Sequence, residues 1–127
     1  MEESNIHFQD LGLSEAMLKA LEQKGYGYPT PIQLEAIPPF LQWKDVIAKA
    51  PTGTGKTFAF GIPMIEHIDA GSEAVQGLIL APTRELAIQI GDELRSLLTY
   101  YQGIRVAVLY GGAGIGGQIK QIGRAHV

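Results

Sequence analysis

From residue 45 onward, short apolar runs alternate with longer amphipathic segments, and this alternation restricts the fold more than any other feature of the chain. Three runs are typical of buried strands: DVIAKA (45–50), GLILA (77–81) and RVAVLY (105–110). Helices are predicted between them, from about Lys56 and from about Arg84. Because such repetition indicates parallel strands joined by right-handed crossovers, we predict an α/β domain with a parallel sheet flanked by helices.

The predicted helices differ in regularity. The helix after Arg84 has apolar residues on one side, namely Leu86, Ile90, Leu94 and Leu97. The earlier helix contains Gly61 and Pro63, and the proline fits there only with a kink. A last helical segment is predicted near residues 117–122, with Gly123 as its C-terminal cap.

Two further helices are predicted in an N-terminal segment. Ser14 is placed to cap the first, and Gly25 is placed to end it in the left-handed conformation. The run TPIQ (30–33) predicts the second, with Thr at the cap, Pro at the first helical position and Gln33 as a capping-box partner. The pair Pro38-Pro39 is expected to limit this helix.

We therefore divide the chain into a helical segment, residues 1–42, and an α/β domain, residues 43–127. The chain has 127 residues, 46% of them hydrophobic, which is enough for a core. It contains no cysteine, and its three histidines are scattered, so disulfides are excluded and a metal cluster is not indicated. The polar, acidic start and the absence of a long apolar run lead us to expect a soluble cytoplasmic protein without a membrane partner.

Between the first apolar run and the helix that follows lies APTGTGKT (50–57), which matches the phosphate-loop pattern except that alanine holds the first position. Gly53 and Gly55 let backbone N–H groups approach phosphate oxygens. Lys56 would reach the outer phosphates, and Thr57 would be a ligand of Mg²⁺. The alternative is a glycine-rich turn with an incidental lysine, but the position between strand and helix favours nucleotide binding. The candidate residues are Ala50, Pro51, Thr52, Gly53, Thr54, Gly55, Lys56 and Thr57.

A second glycine-rich stretch, residues 112–117, matches G-x-G-x-x-G after the run RVAVLY and before a predicted helix. In a dinucleotide fingerprint an acidic residue follows about 20 positions later, which is beyond Val127. Since one small domain rarely carries two phosphate sites, we favour a flexible turn here.

Four segments, in this order, resemble the first domain of DEAD-box RNA helicases: GYGYPTPIQ (25–33), APTGTGKT (50–57), PTRELAIQ (82–89) and GG (111–112). The resemblance extends from Phe8 to the last residues. It implies a RecA-like phosphate-loop domain preceded by a helical segment that recognises adenine. It also implies ATP and Mg²⁺ as cofactors, RNA as partner and activity as an ATP-dependent RNA helicase, with Lys56 and Thr57 as catalytic candidates.

The glutamine segment selects adenine in this family, which implies that Gln33 pairs with the base edge. A carboxamide offers the donor and the acceptor that adenine needs, but one engaged in a capping box cannot present both. Phe8 lies where the family has an aromatic residue stacked on adenine, and the alternative is a core anchor. Tyr26 is a further candidate for the adenine site, although aromatic residues at turns more often pack against the core.

The resemblance also implies contacts with RNA phosphates. Thr83 and the free amides at the helix start form an anion site to which Arg84 adds a cation. The alternative is that Thr83 only caps the helix and Arg84 is solvated. The candidate RNA-binding residues are Pro82, Thr83, Arg84, Gly111 and Gly112. Such backbone contacts imply little sequence preference, and they suit a chain whose net charge of -3 gives no general attraction to RNA.

The chain departs from the family because it lacks the Asp-Glu-Ala-Asp segment and a second domain. Since hydrolysis needs a metal-supporting carboxylate and transition-state cations, we expect nucleotide binding with negligible ATPase and no unwinding by this chain alone. We also expect self-association through exposed strand edges. Two alternatives remain open: another phosphate-loop NTPase, and a non-catalytic RNA-binding module that retains the loop.

Overall fold

The computed structural model describes residues 6–51, 53, 55–112 and 114–127. These ranges contain a short 3₁₀ helix, Phe8–Leu11, and five α-helices. The α-helices are α1 (Glu15–Gln23), α2 (Pro31–Leu41), α3 (Lys56–Glu66), α4 (Arg84–Ser96) and α5 (Ile115–Ile122). The chain divides into two compact units, one up to His67 and one from Ile68. The boundary that the sequence predicts after residue 42 stays a prediction.

The first two α-helices begin where the sequence predicts. Ser14 caps α1, and its side-chain oxygen accepts a hydrogen bond from the Met17 N–H at 3.2 Å. Gly25 follows α1 with a φ of 84°, the predicted left-handed conformation. Thr30 is the N-cap of α2, and Pro31 is its first residue. These starts were predictable because each depends on a cap only a few residues away.

The prediction that Pro38-Pro39 limits α2 is wrong, because the helix continues through both prolines to Leu41. Proline fixes φ near the helical value and removes only its own N–H donor, so a helix can pass through it at some cost. The last turn is closed by the Gln42 N–H, which donates to the carbonyl oxygens of Pro38 at 3.3 Å and Pro39 at 3.1 Å.

The core of the first unit lies among its three α-helices. Its buried side chains include Met17 and Leu21 of α1, Ala36 and Ile37 of α2, and Phe58, Ile62 and Ile65 of α3. Helices α2 and α3 pack against each other. Pro63 lies inside α3, which continues to Glu66. This packing brings the start of α3, where the glycine-rich loop ends, beside the start of α2.

In the second unit, α4 begins at Arg84 as predicted, and its apolar side buries Ile90, Leu94 and the following Leu97. Helix α5 begins at Ile115, two residues before the predicted start at 117. Gly123 is its C-cap residue, but with a φ of −63° it has the right-handed conformation and not the left-handed one of a glycine cap.

The parallel sheet predicted for the chain is not confirmed, because the described residues include no regular strand. The predicted strands 45–50, 77–81 and 105–110 are non-helical. In the second unit, isolated backbone bonds join the last residues to two of these regions. The His126 N–H donates to the Arg105 oxygen at 2.8 Å, and the Gly77 N–H donates to the His126 oxygen at 3.0 Å. No helix within the described ranges is both long and apolar enough to span a membrane.

Candidate functional site

The glycine-rich loop leads directly into the N-terminus of α3. Gly53 and Gly55 have φ values of 86° and 87°, in the left-handed region that favours glycine. Gly55 is the N-cap residue, and its carbonyl oxygen accepts the first helical bond from the Ala59 N–H at 3.1 Å. The first N–H groups of a helix have no intrahelical acceptor, so this end attracts anions. Exposed Lys56 adds a cation there, while Thr52 and Thr54 lie outside the described residues.

Gly55 lies against the start of α2 so closely that only glycine fits. A Cβ atom at this position would overlap Nε2 of Gln33 and would lie 3.0 Å from Oγ1 of Thr30. By contrast, a Cβ atom on Gly53 would meet no atom within 4 Å. The glutamine segment and the loop, which the sequence treats as separate motifs, are therefore in direct contact.

Both ends of the Gln33 carboxamide are hydrogen-bonded within the protein. Its oxygen accepts a hydrogen bond from the Thr30 N–H at 2.9 Å, and its Nε2 donates to the Gly55 oxygen at 3.1 Å. The residue is only 4% exposed. The structure thus has the capping arrangement, and the proposed pairing with a base requires Gln33 to release these partners. Thr30 Oγ1 is buried beside it and has no hydrogen-bond partner among the described residues.

The two aromatic candidates lie together, away from Gln33. Phe8 is 3% exposed and belongs to the core, as the anchor interpretation predicts. Tyr26 is 46% exposed, and its ring meets the Phe58 ring edge-on with centroids 5.7 Å apart. Phe8 and Tyr26 line one cavity of about 550 Å³, whose lining does not include Gln33. Stacking of either ring on a base stays a prediction.

The loop is suited to hold a triphosphate with a hard cation. Its suitability rests on the left-handed Gly53 and Gly55, the helix start and the exposed Lys56. Within the described part of the chain, no three His, Asp or Glu side chains are grouped to hold a metal ion. Half-buried Thr57 is therefore the candidate ligand here. One protein hydroxyl is compatible with Mg²⁺, which usually keeps several waters and binds phosphate oxygens of the nucleotide.

In the second unit, the structure brings the two candidate RNA-binding segments together. Thr83 caps α4, because its Oγ1 accepts a hydrogen bond from the Leu86 N–H at 3.1 Å. A Cβ atom on Gly112 would lie 3.6 Å from Nη1 of Arg84. The exposed residues of this group are Pro82, Thr83, Arg84, Gly111 and Gly112. A helix N-terminus, a guanidinium and a glycine pair thus share one exposed surface.

Sequence reasoning missed two residues that hold this surface in place. The guanidinium carbon of Arg84 lies 5.4 Å from the ring centroid of Tyr110, within cation–π range. Gln118 accepts a hydrogen bond from the Tyr110 N–H at 2.9 Å and donates to the Tyr110 oxygen at 3.2 Å. Tyr110 could have been noticed as the aromatic residue directly before the glycine pair. Nothing in the sequence pattern pointed to Gln118.

Comparisons with known proteins give a consistent result. The model of the family described as DEAD/DEAH box helicase matches residues 30–127. Two relatives are named ATP-dependent RNA helicase CshA: one from Bacillus cereus, 48% identical over 91% of this chain, and one from Limosilactobacillus reuteri, 51% identical over 92%. A crystal structure of a DEAD box protein from Methanococcus jannaschii superposes with a TM-score of 0.88 and 42% identity, covering 94% of this chain. The chain spans 22% and 23% of the two relatives and 32% of the solved chain.

Proposed function

Because the chain belongs to the DEAD/DEAH box helicase family, we propose that it is the ATP-binding part of an ATP-dependent RNA helicase. The observation that carries the proposal is the left-handed glycine loop leading into α3, with Lys56 as its first helical residue. The names of the relatives support ATP and RNA as the ligands. The superposition on a DEAD box protein also supports the proposed RecA-like arrangement, a parallel sheet flanked by helices.

In the proposed nucleotide site, the chain contributes backbone amides, one ammonium group and one hydroxyl. The N–H groups at the start of α3 and in the loop donate to phosphate oxygens, and Lys56 neutralises charge on the outer phosphates. Thr57 is a ligand of Mg²⁺. When bound, the cation offsets the negative charge that develops on the transferred phosphoryl group.

Base selection in this proposal depends on Gln33 exchanging partners. Its carboxamide releases the Thr30 N–H and the Gly55 oxygen and pairs with the edge of adenine, which has a matching acceptor and donor. In this proposal, stacking of Phe8 or Tyr26 on the base requires a further rearrangement, because the cavity that they line does not include Gln33. Guanine has two acceptors, N7 and O6, at the same edge and would leave the carboxamide oxygen without a donor, so the same contacts favour ATP over GTP.

RNA binding is assigned to the exposed surface around Arg84. The amides at the start of α4, the Arg84 guanidinium and the backbone of Gly111 and Gly112 are groups that bind phosphate and sugar oxygens. Since such contacts do not read base edges, we expect little sequence preference. Turnover and unwinding need a metal-supporting carboxylate and transition-state cations, so we expect the 127-residue chain to bind ATP without appreciable ATPase.

The nucleotide site is tested by calorimetry of the 127-residue chain with Mg-ATP and Mg-GTP. We expect preferential ATP binding, a loss of at least about tenfold in Lys56→Ala for both nucleotides, and a loss for ATP only in Gln33→Ala. Lys44→Ala, which removes an exposed lysine elsewhere in the same unit, is the matched control. Equal binding of both nucleotides, unaffected by Gln33→Ala, would instead favour another phosphate-loop NTPase.

The RNA surface is tested by the salt dependence of binding to a single-stranded RNA of mixed sequence. Arg84→Ala is expected to weaken RNA binding. It should also reduce the magnitude of the slope of log K against log salt concentration by about 0.7, the contribution of one phosphate contact on a single strand. RNA binding without measurable nucleotide binding would favour the non-catalytic module, and RNA affinity that Arg84→Ala leaves unchanged would remove the support for this surface.

A further inference from the structure

A second junction lies at the opposite end of α3 from the phosphate loop. The carboxylate of Glu66, the last residue of α3, accepts hydrogen bonds from the N–H and the hydroxyl of Ser14 at 2.5 and 2.9 Å. The next residue, His67, uses Nε2–H to donate to the carbonyl oxygen of Leu41 at 3.1 Å. The C-terminal end of α3 is thus bound to the start of α1 and to the end of α2.

Trp43 completes this junction in an unusual backbone conformation. Its indole lies parallel to the His67 ring, with centroids 3.7 Å apart and planes 6° apart. Among the described residues it is the only one besides glycines with a positive φ, 65°, and it is 75% exposed. Side chains rarely adopt this conformation, and such outliers persist where surrounding contacts hold them. Here the contact is the His67 ring.

The two junctions fix α2 on α3 at both ends. Near the starts of the helices, Nε2 of Gln33 donates to the Gly55 oxygen at 3.1 Å, and near their ends His67 donates to Leu41. The eight residue steps from Gln33 to Leu41 span about 12 Å of helix. The contact at Leu41 opposes tilting of α2 about its start, and such a tilt would change the angle at which Gln33 faces the loop.

We propose that His67 and Trp43 are positioning residues that hold α2 on α3, so that Gln33 faces the base while the phosphates occupy the loop. The inference rests on the proposed ATP-binding function and deepens it. It assigns base selectivity in part to a histidine–tryptophan stack that touches neither base nor phosphate. Phosphate affinity, which comes from the loop and the start of α3, does not depend on the stack.

The experiment measures the ratio of ATP to GTP affinity for the 127-residue chain by calorimetry with Mg²⁺. His67→Ala is expected to lower this ratio about fivefold, the size of one lost hydrogen bond, through weaker ATP binding with GTP affinity unchanged. His67→Phe keeps an aromatic ring under Trp43 but removes the N–H donor to Leu41, and we expect a decrease of the same size because the same hydrogen bond is lost. Lys44→Ala, next to Trp43, is the control and leaves the ratio unchanged.

Trp43→Gly separates positioning from stability. Glycine adopts the positive φ freely, which offsets the loss of the stack, so the unfolding midpoint changes little. The positioning role nevertheless predicts a fall in the ATP:GTP ratio similar to that of His67→Ala. If the stack only stabilises the fold, the ATP:GTP ratio should stay constant in Trp43→Gly, because the unfolding midpoint changes little. This variant and His67→Phe decide the question if His67→Ala does not fold by circular dichroism.

A final comparison tests whether the effect passes through Gln33. In a Gln33→Ala background, His67→Ala should leave the ATP:GTP ratio unchanged. If His67→Ala lowers the ratio there by the same factor as in the wild-type chain, the proposal is overturned. If the wild-type chain prefers ATP and the His67 and Trp43 variants keep this preference, the positioning role is overturned and the adenine assignment stands. A wild-type chain that binds both nucleotides equally would overturn the adenine assignment, and positioning with it.

Discussion

Gly55 must be glycine for two separate reasons, and they are measurable apart. Its φ of 87° disfavours any side chain, and a Cβ atom would overlap Nε2 of Gln33. We expect Gly55→Ala to lower the free energy of unfolding by about 2–4 kcal/mol, from left-handed strain together with overpacking or a broken Gln33 hydrogen bond. Urea denaturation followed by the fluorescence of Trp43, the chain's single tryptophan, measures this change.

Gly53 supplies the matched control for that variant. It has nearly the same φ, 86°, but a Cβ atom there would have no neighbour within 4 Å. Gly53→Ala should therefore show only the strain of the left-handed conformation, about 1–2 kcal/mol. Equal destabilisation by the two substitutions would mean that the contact between the loop and Gln33 adds nothing to stability.

The roles of single residues could be predicted where they depend on local geometry. They were harder to predict where one side chain, such as Gln33, suits two different sets of partners. The pattern around Lys56 calls for small residues at positions 53 and 55, and the structure adds a second reason for glycine, because both residues have left-handed φ values. The spacing from Thr30 to Gln33 suits both a capping box and an exposed base reader. Only the position of Gly55, 22 residues away in sequence, shows which partners Gln33 has in this structure.

At the scale of elements, the packing of α4 predicts that replacing a helical glycine by alanine destabilises the chain, although helix propensity favours alanine. Alanine normally stabilises a helix by about 1 kcal/mol over glycine. At Gly91, however, a Cβ atom would overlap Cγ2 of Val108, and overpacking of this kind costs about 1–3 kcal/mol. We therefore expect Gly91→Ala to lower the unfolding free energy by about 1 kcal/mol in thermal or urea denaturation.

Two further variants check that this loss comes from the overlap. Gly117→Ala in α5, where a Cβ atom would meet nothing within 4 Å, should stabilise the chain by about 1 kcal/mol. In a Val108→Ala background, Gly91→Ala should no longer destabilise, because the overlapping methyl group is gone. Persistent destabilisation in that background would contradict the packing explanation.

The helix starts could be predicted from the sequence, whereas the predicted sheet is not confirmed, and this difference has a physical reason. The starts at Glu15, Pro31, Lys56 and Arg84 are set by caps and loop glycines within a few residues. The limit placed at Pro38-Pro39 was wrong because two missing donors do not stop a helix whose last turn closes by other bonds. Strands depend on partners far along the chain, and apolar runs such as 77–81 show where a strand fits but not what it pairs with.

For the whole molecule, the exposed apolar residues of 77–81 lead to a prediction about association. Leu78 and Leu80 are 77% and 86% exposed, and within the described part of the chain residues 78–81 form no backbone hydrogen bond. An extended apolar segment with unpaired N–H and C=O groups is a template for pairing with a second copy. We expect concentration-dependent self-association of the wild-type chain, measured by sedimentation velocity, and a clear reduction in Leu78→Lys and Leu80→Lys.

The control for association is an exposed apolar residue inside a helix. Ile119, 60% exposed, lies in the middle of α5, and its carbonyl oxygen accepts a hydrogen bond from the Gly123 N–H at 3.2 Å. Ile119→Lys adds the same charge as Leu78→Lys but leaves residues 78–81 unchanged, so association should remain near the wild-type level. If Ile119→Lys reduces association as much as Leu78→Lys, general apolar contact or net charge explains it. A wild-type chain that stays monomeric at every concentration would contradict edge pairing altogether.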